Sequence, residues 1–218
     1  MMLEYIDAGF QFNIRTLQKK DRFFGKLSDR LKKDLTFHLV GHYKEKFPFF
    51  FDDFEHRYQS SEDFQFNVLS NLEYLILPPH EVEGSSLSLD QTSSSVVLSA
   101  SDSVDYLYFV HIGQVNLYDK LGRFILQYQG GSIFGDYQLI LGCTAGFKYV
   151  GNPHRTNYLF QVKKDIFLSS LFKDYDAMVY LTKIALQKRK HIKKVAKQVA
   201  MGEGSLKTKN FKTIESNS

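Results

Sequence analysis

The sequence predicts an α+β fold, an antiparallel, jelly-roll-like β-roll with helices before and after it. Three observations carry that prediction. Short apolar runs (Tyr106–His111, Gln114–Tyr118, Arg123–Tyr128, Phe147–Val150 and Tyr158–Val162) recur with turn signals roughly every 8–12 residues, the pattern of a closed antiparallel roll. Before them, apolar residues repeat at helical spacing from Ser28 to Leu72. After them, Met178, Leu181, Ala185, Ile192, Val195 and Val199 trace one stripe of a long helix.

The N-terminal elements come first. Ser28 is placed to cap a helix with Asp29 in its first turn and Leu31, Leu35 and Leu39 on one face. Proline cannot continue a helix, so Phe47-Pro48-Phe49-Phe50-Phe51 should end it. A second helix is expected near Ser60, with Asp63 completing a capping box and Phe64, Val68 and Leu72 as its apolar stripe. Tyr74–Leu77 reads as the first strand, stopped by Pro78-Pro79.

Ser85–Ser103 holds nine serines in nineteen residues and no lysine or arginine. So little apolar surface cannot offset the entropy of ordering, so a flexible surface insertion is expected, with Val96-Val97-Leu98 as a brief edge strand. Asp119-Lys120-Leu121-Gly122 makes a hairpin turn. Asp165 is expected to cap Ile166–Phe172 ahead of the long helix. The boundaries that follow are a helical region at 1–72, the roll at 73–162 with its insertion at 85–103, C-terminal helices at 163–201 and a disordered tail at 202–218.

Composition narrows the function. The chain has 218 residues, 43% of them hydrophobic, enough for a substantial core. Its net charge of +4 is local, because Lys188, Arg189, Lys190, Lys193, Lys194 and Lys197 crowd one segment. A solvated helix face, an acidic-lipid or calmodulin-type contact and a nuclear-type signal are the readings open to that run. Arginines interleaved with exposed aromatics are missing, so no nucleic-acid partner is expected. A single cysteine, Cys143, fits a reducing compartment. No signal peptide and no stretch of about 18 apolar residues is visible, so a cytoplasmic location is expected. His38 and His42 share metal-ligand spacing but lack a third ligand, and no catalytic constellation appears, so neither a metal nor an enzyme is expected.

The segment Gly130–Val150 carries the functional signal. Gly131 and Gly135 suit backbone conformations that a β-carbon forbids. Asp136, directly after Gly135, would open a short helix where backbone N–H groups face an anion. The run Gly131-Ser132-Ile133-Phe134-Gly135-Asp136, followed by Leu139-Ile140 and a small-residue loop, resembles the phosphate-binding cassette of cyclic nucleotide-binding domains. The strand–Gly–strand run Leu107–Tyr118 is similar to the segment that precedes it in that family.

Leu27-Ser28 through His38-Leu39, Phe47–Phe50, Leu69, Leu72 and Pro78 resemble the linker of cyclic-nucleotide-gated and voltage-gated potassium channels. The resemblance implies a regulatory module at the membrane only through a pore domain, a tetramer formed through the linker helices, and cyclic AMP or cyclic GMP as ligand with no other cofactor. It implies a ligand site at Phe134, Gly135, Asp136, Thr144 and Ala145. Asp136 falls on the family's glutamate, on a stem shorter by one bond of about 1.5 Å.

Ala145 falls where the family's phosphate-binding arginine stands. Losing that charged bond costs on the order of 1.5–3 kcal/mol, so weak or absent nucleotide binding is expected. Lys148 and Arg155 are the candidate substitute phosphate contacts. A soluble cyclic-nucleotide sensor of the kinase-regulatory type is the main rival, and a transcription regulator on the same roll the second. The chain would be either a truncated channel product or a free-standing relative.

Overall fold

A computed structural model describes residues 26–53, 58–79 and 95–202. The segments expected as an N-terminal helix and connector, most of the serine-rich insertion and nearly all of the tail lie outside these residues.

The described residues before the first hairpin include three helices, α1 (Asp29–Val40), α2 (Tyr43–Lys46) and α3 (Pro48–Phe51). Ser28 caps α1 as expected, its Oγ accepting the Leu31 N–H. The buried face differs in part from the expected one: Leu35 is half-buried and Leu39 packs against the core. Leu31 is 53% exposed, whereas Thr36, Val40 and Tyr43 turn inward. The aromatic run sets that orientation: Tyr43, Phe47, Phe50 and Phe51 are all buried, and α1 must follow them. Pro48 opens α3 rather than ending a helix, since the first helical position needs no N–H.

A two-stranded hairpin follows, β1 (Asp52–Asp53) with β2 (Tyr58–Gln59), and then α4 (Glu62–Ser70). The cap of α4 is Ser61, not Ser60. Ser60 instead donates its hydroxyl to the Phe51 carbonyl at 2.8 Å, and Asp63 pairs with Lys33, so the expected capping box does not form.

The roll consists of two four-stranded antiparallel sheets. One has the order β3 (Glu73–Leu77), β10 (Asn157–Lys163), β5 (Tyr106–Ile112), β8 (Ile133–Phe134). The other runs β4 (Val96–Leu98), β9 (Lys148–Gly151), β6 (Gln114–Tyr118), β7 (Phe124–Gln129). Helix α5 (Asp136–Leu141) lies between β8 and β9, and α6 (Lys164–Leu171) and α7 (Tyr175–Ala200) follow the roll. The strands predicted from sequence all form, to within a residue or two at their ends. Among the described residues of the insertion, Val96–Leu98 pairs with β9 as the edge strand expected, and Ser101 after it bonds to the Ala145 carbonyl.

The alternation of β5 explains how the layers meet. Tyr108 faces inward and stacks on Phe134 at 4.8 Å. Phe109 faces outward and meets Phe47 at 5.0 Å and Phe50 at 5.2 Å, while Phe50 also contacts Phe64 and Phe167. The N-terminal helices are thus fastened to the outer face of the first sheet through one aromatic cluster. Each such buried ring contributes roughly 1.5–3 kcal/mol.

A polar knot holds one end of the roll. Asn157, fully buried, accepts the Gln114 N–H through Oδ1 and donates Nδ2 to the Asn152 and Arg155 carbonyls.

Helix α6 has no side-chain cap and begins at Lys164, so Asp165 sits within its first turn rather than before it. Asp174 caps α7 by accepting the Ala177 N–H at 2.9 Å, and also accepts the Ser61 N–H at 2.8 Å. Tyr180 stacks on Tyr58 at 4.0 Å and donates its hydroxyl to Asp53. The start of α7 is therefore clipped to the N-terminal hairpin and to α4.

Candidate functional site

The cassette residues lie where β8 turns into α5. Gly135 has φ +86°, and a β-carbon there would stand 2.8 Å from the Tyr106 carbonyl oxygen, so both conformation and space demand glycine. Phe134 is fully buried and stacks on Tyr149 of β9 at 4.9 Å; Tyr128 of β7 lies 6.0 Å from Tyr149. These three rings bridge the two sheets. Tyr149 receives the Gln138 amide N–H at 2.7 Å, and burial holds its phenol well above the usual range. Burial likewise raises Tyr137 to about 12.

Asp136 is buried but does not face an open site. Lys188, reaching in from the middle of α7, donates its ammonium to Asp136 Oδ2 at 2.8 Å and to the Ile133 carbonyl at 2.9 Å. The ammonium also lies 6.0 Å from the centre of the Tyr128 ring. The Lys188 side chain is 1% exposed and that of Asp136 10%. Burying a charge is costly without a partner, and here each charge supplies the other's. Asp136 Oδ1 and Gln138 Oε1 accept no hydrogen bond among the described residues.

Ala145 is also buried, at 1% exposure. Its N–H donates to the Asp102 carbonyl at 2.9 Å and its carbonyl accepts the Ser101 N–H at 2.6 Å. Ser101, at φ +83°, makes the sharp turn that this bridge needs. Thr144 beside it is exposed.

The two candidate substitutes stand elsewhere. Lys148 precedes the inward-facing Tyr149 on β9, so strand alternation directs it to the opposite face of the sheet. Arg155 is in the exposed turn at the other end of β9, against the Asn157 knot. Phe134, Gly135, Asp136 and Ala145 are gathered at one end of the roll, while Lys148 and Arg155 are not turned toward it. At the cassette, then, Ala145 is neutral, Asp136 is engaged by Lys188, and three aromatic rings lie between the sheets.

Lys188 is the residue that sequence reasoning missed, because it was counted with the surface cations. The signal was available. Position 188 falls three after Ala185 and four before Ile192, in line with the apolar stripe.

A groove of about 780 Å³ opens elsewhere, lined by Phe37, Lys44, Gln59, Ser61 and Asp174 among others. It shares no residue with the cassette. No group of metal-ligating side chains is present among the described residues, His38 and His42 included.

No family model matches the chain, and no curated protein matches it. Among solved structures, it is similar to cAMP-bound PfPKA-R, with 12% identity and a TM-score of 0.54, over 77% of this chain and 49% of that one. The chain thus spans about half the length of that structure. The regulatory domain of Toxoplasma gondii PKA with cAMP matches at 14% identity and a TM-score of 0.45, covering 58% of this chain and 43% of that one. The second PKAR domain bound to Sp-2Cl-cAMPS matches at 11% and 0.46, covering 62% and 77%. At these identities the first match establishes the fold, that of the cyclic nucleotide-binding roll; the other two add no weight.

Proposed function

We propose that this chain is a non-enzymatic regulatory module on a cyclic nucleotide-binding roll whose own last helix, rather than a nucleotide, occupies the cassette. The Lys188–Asp136 contact carries the reading. In the family that the sequence resembles, this acidic position serves a ligand hydroxyl; here a buried ammonium of the same chain takes it. The roll is then held closed with no ligand, and signals reach it through displacement of α7. The resemblance of the N-terminal segment to a channel linker favours a role beside a cation channel, in the cytoplasm, as a tetramer assembled through residues 1–72.

A second reading has its own support. The structural neighbour of highest TM-score described above is a cAMP-bound kinase regulatory protein, which favours a soluble sensor of cyclic AMP or cyclic GMP.

Calorimetric titration with cyclic AMP and cyclic GMP separates the two. The wild type, Lys188→Ala, Ala145→Arg and the double variant would be titrated in parallel. Silence from the wild type and both single variants, with binding only in the double variant, is the expected result. Micromolar or tighter binding by the wild type would overturn the self-occupied reading in favour of the sensor.

A further inference from the structure

One outward face of α7 is used by nothing described so far. Following the helix in steps of three and four, the residues along that face are Phe172 just before it, then Tyr175, Val179, Leu186, Lys190, Lys193 and Lys197. The first four are large apolar side chains left 43–72% exposed. The last three are exposed lysines, with Arg189 and Lys194 on either side. The opposite face, through Leu181, Ala185, Lys188 and Ile192, is buried against the body.

Two features of this face bear on the chemistry of what could cover it. From Ala177 to Gly202 there is no acidic residue, so lysines three and four apart repel one another with no relief from within the helix. An anionic partner supplies that relief. The exposed apolar half, continuous with the cationic half along one straight ridge, then asks for a partner that is anionic at its surface and apolar just beneath. A bilayer with acidic headgroups has both properties. A nucleic acid offers no apolar phase for Val179 and Leu186, and α7 carries a single arginine, Arg189, to read it.

We propose that the exposed ridge of α7 docks on an anionic membrane surface, the lysines providing attraction and Leu186 and Val179 entering the headgroup boundary. This surface lies on the side of α7 away from Lys188 and uses none of the cassette residues.

The test is sedimentation of the full chain with vesicles of phosphatidylcholine alone and of roughly 3:1 phosphatidylcholine to phosphatidylserine, across a salt series. Binding to the acidic vesicles only, weakening as salt rises, is expected. Each lysine near the surface is worth roughly fivefold, so Lys190→Glu with Lys193→Glu and Lys197→Glu should lower partitioning at least about a hundredfold. Leu186→Ser should lower it severalfold at every salt concentration. All four positions are exposed, and unchanged circular dichroism would show that the variants remain folded. Equal binding to both vesicle types, no binding at low salt, or binding retained by the triple variant would overturn the proposal. So would equally tight capture of soluble polyglutamate unaffected by Leu186→Ser, which would assign the ridge to an acidic polypeptide.

Discussion

Lys188 and Asp136 are 52 residues apart in the chain and 2.8 Å apart in the fold, with the lysine side chain almost wholly buried. Removing one member of such a pair leaves a buried charge without its counterion, at a cost of about 3–5 kcal/mol. Lys188→Met should therefore destabilise the protein by that amount in urea denaturation. Replacing both partners with apolar residues of similar size, Lys188→Met with Asp136→Leu, should restore most of the loss. A double variant no more stable than the single one would show that the pair does not act as a unit.

Gly135→Ala tests the turn into α5. The substitution meets both a positive φ and the Tyr106 carbonyl at 2.8 Å, and should cost about 1–3 kcal/mol. Gly142→Ala, where nothing lies within 4 Å, pays only for its φ of +62° and should cost less. Thermal melting of the two variants side by side gives the comparison.

Asn157→Ala removes a fully buried side chain that satisfies one N–H and two carbonyls. Three part-buried backbone groups lose their partner, water can reach some of them, and a loss of about 1–3 kcal/mol is expected. Hydrogen exchange should quicken at the Gln114 amide in particular, and an unchanged rate there would contradict the knot.

His111 gives the fold a pH dependence. Burial, with Lys46 and His42 nearby, lowers its pKa from 6.5 to about 4; Tyr43 and Phe160 cover its remaining faces. Between those values the unfolded chain binds the proton and the folded chain does not, so stability rises with pH from about 4 to 6.5 and then levels off. His111→Gln should flatten this part of the profile in urea midpoints measured across that range.

Much of the fold was legible because strands at short, regular spacing and a long apolar stripe are local signals. What the sequence concealed depends on distant partners. Leu31 and Leu35 keep helical spacing, yet the face of α1 that is buried was chosen by Phe47, Phe50 and Phe51 packing on Phe109. The Ser60 capping box failed because Ser60 was drawn to the Phe51 carbonyl, a contact that no local pattern announces. At the cassette, Gly135 and Asp136 could be read from their neighbours. Lys188 could not be read from composition, because a lysine among lysines looks like surface; only its place on the stripe sets it apart.

The clip between Ser61 and Asp174 spans 113 residues of sequence. A ribosome moving at about 5–20 residues per second needs on the order of ten seconds to deliver the second half of that clip after the first. During that interval α4 and the β1–β2 hairpin have emerged without the helix that fastens them, and β3 still lacks β10, its partner at the sheet edge. The aromatic surface of Phe47, Phe50 and Phe51 is thus exposed in the nascent chain well before Phe167 arrives to cover it. The order of synthesis, rather than the stability of the finished fold, thus sets how long Phe47, Phe50 and Phe51 wait for the rings that pack on them.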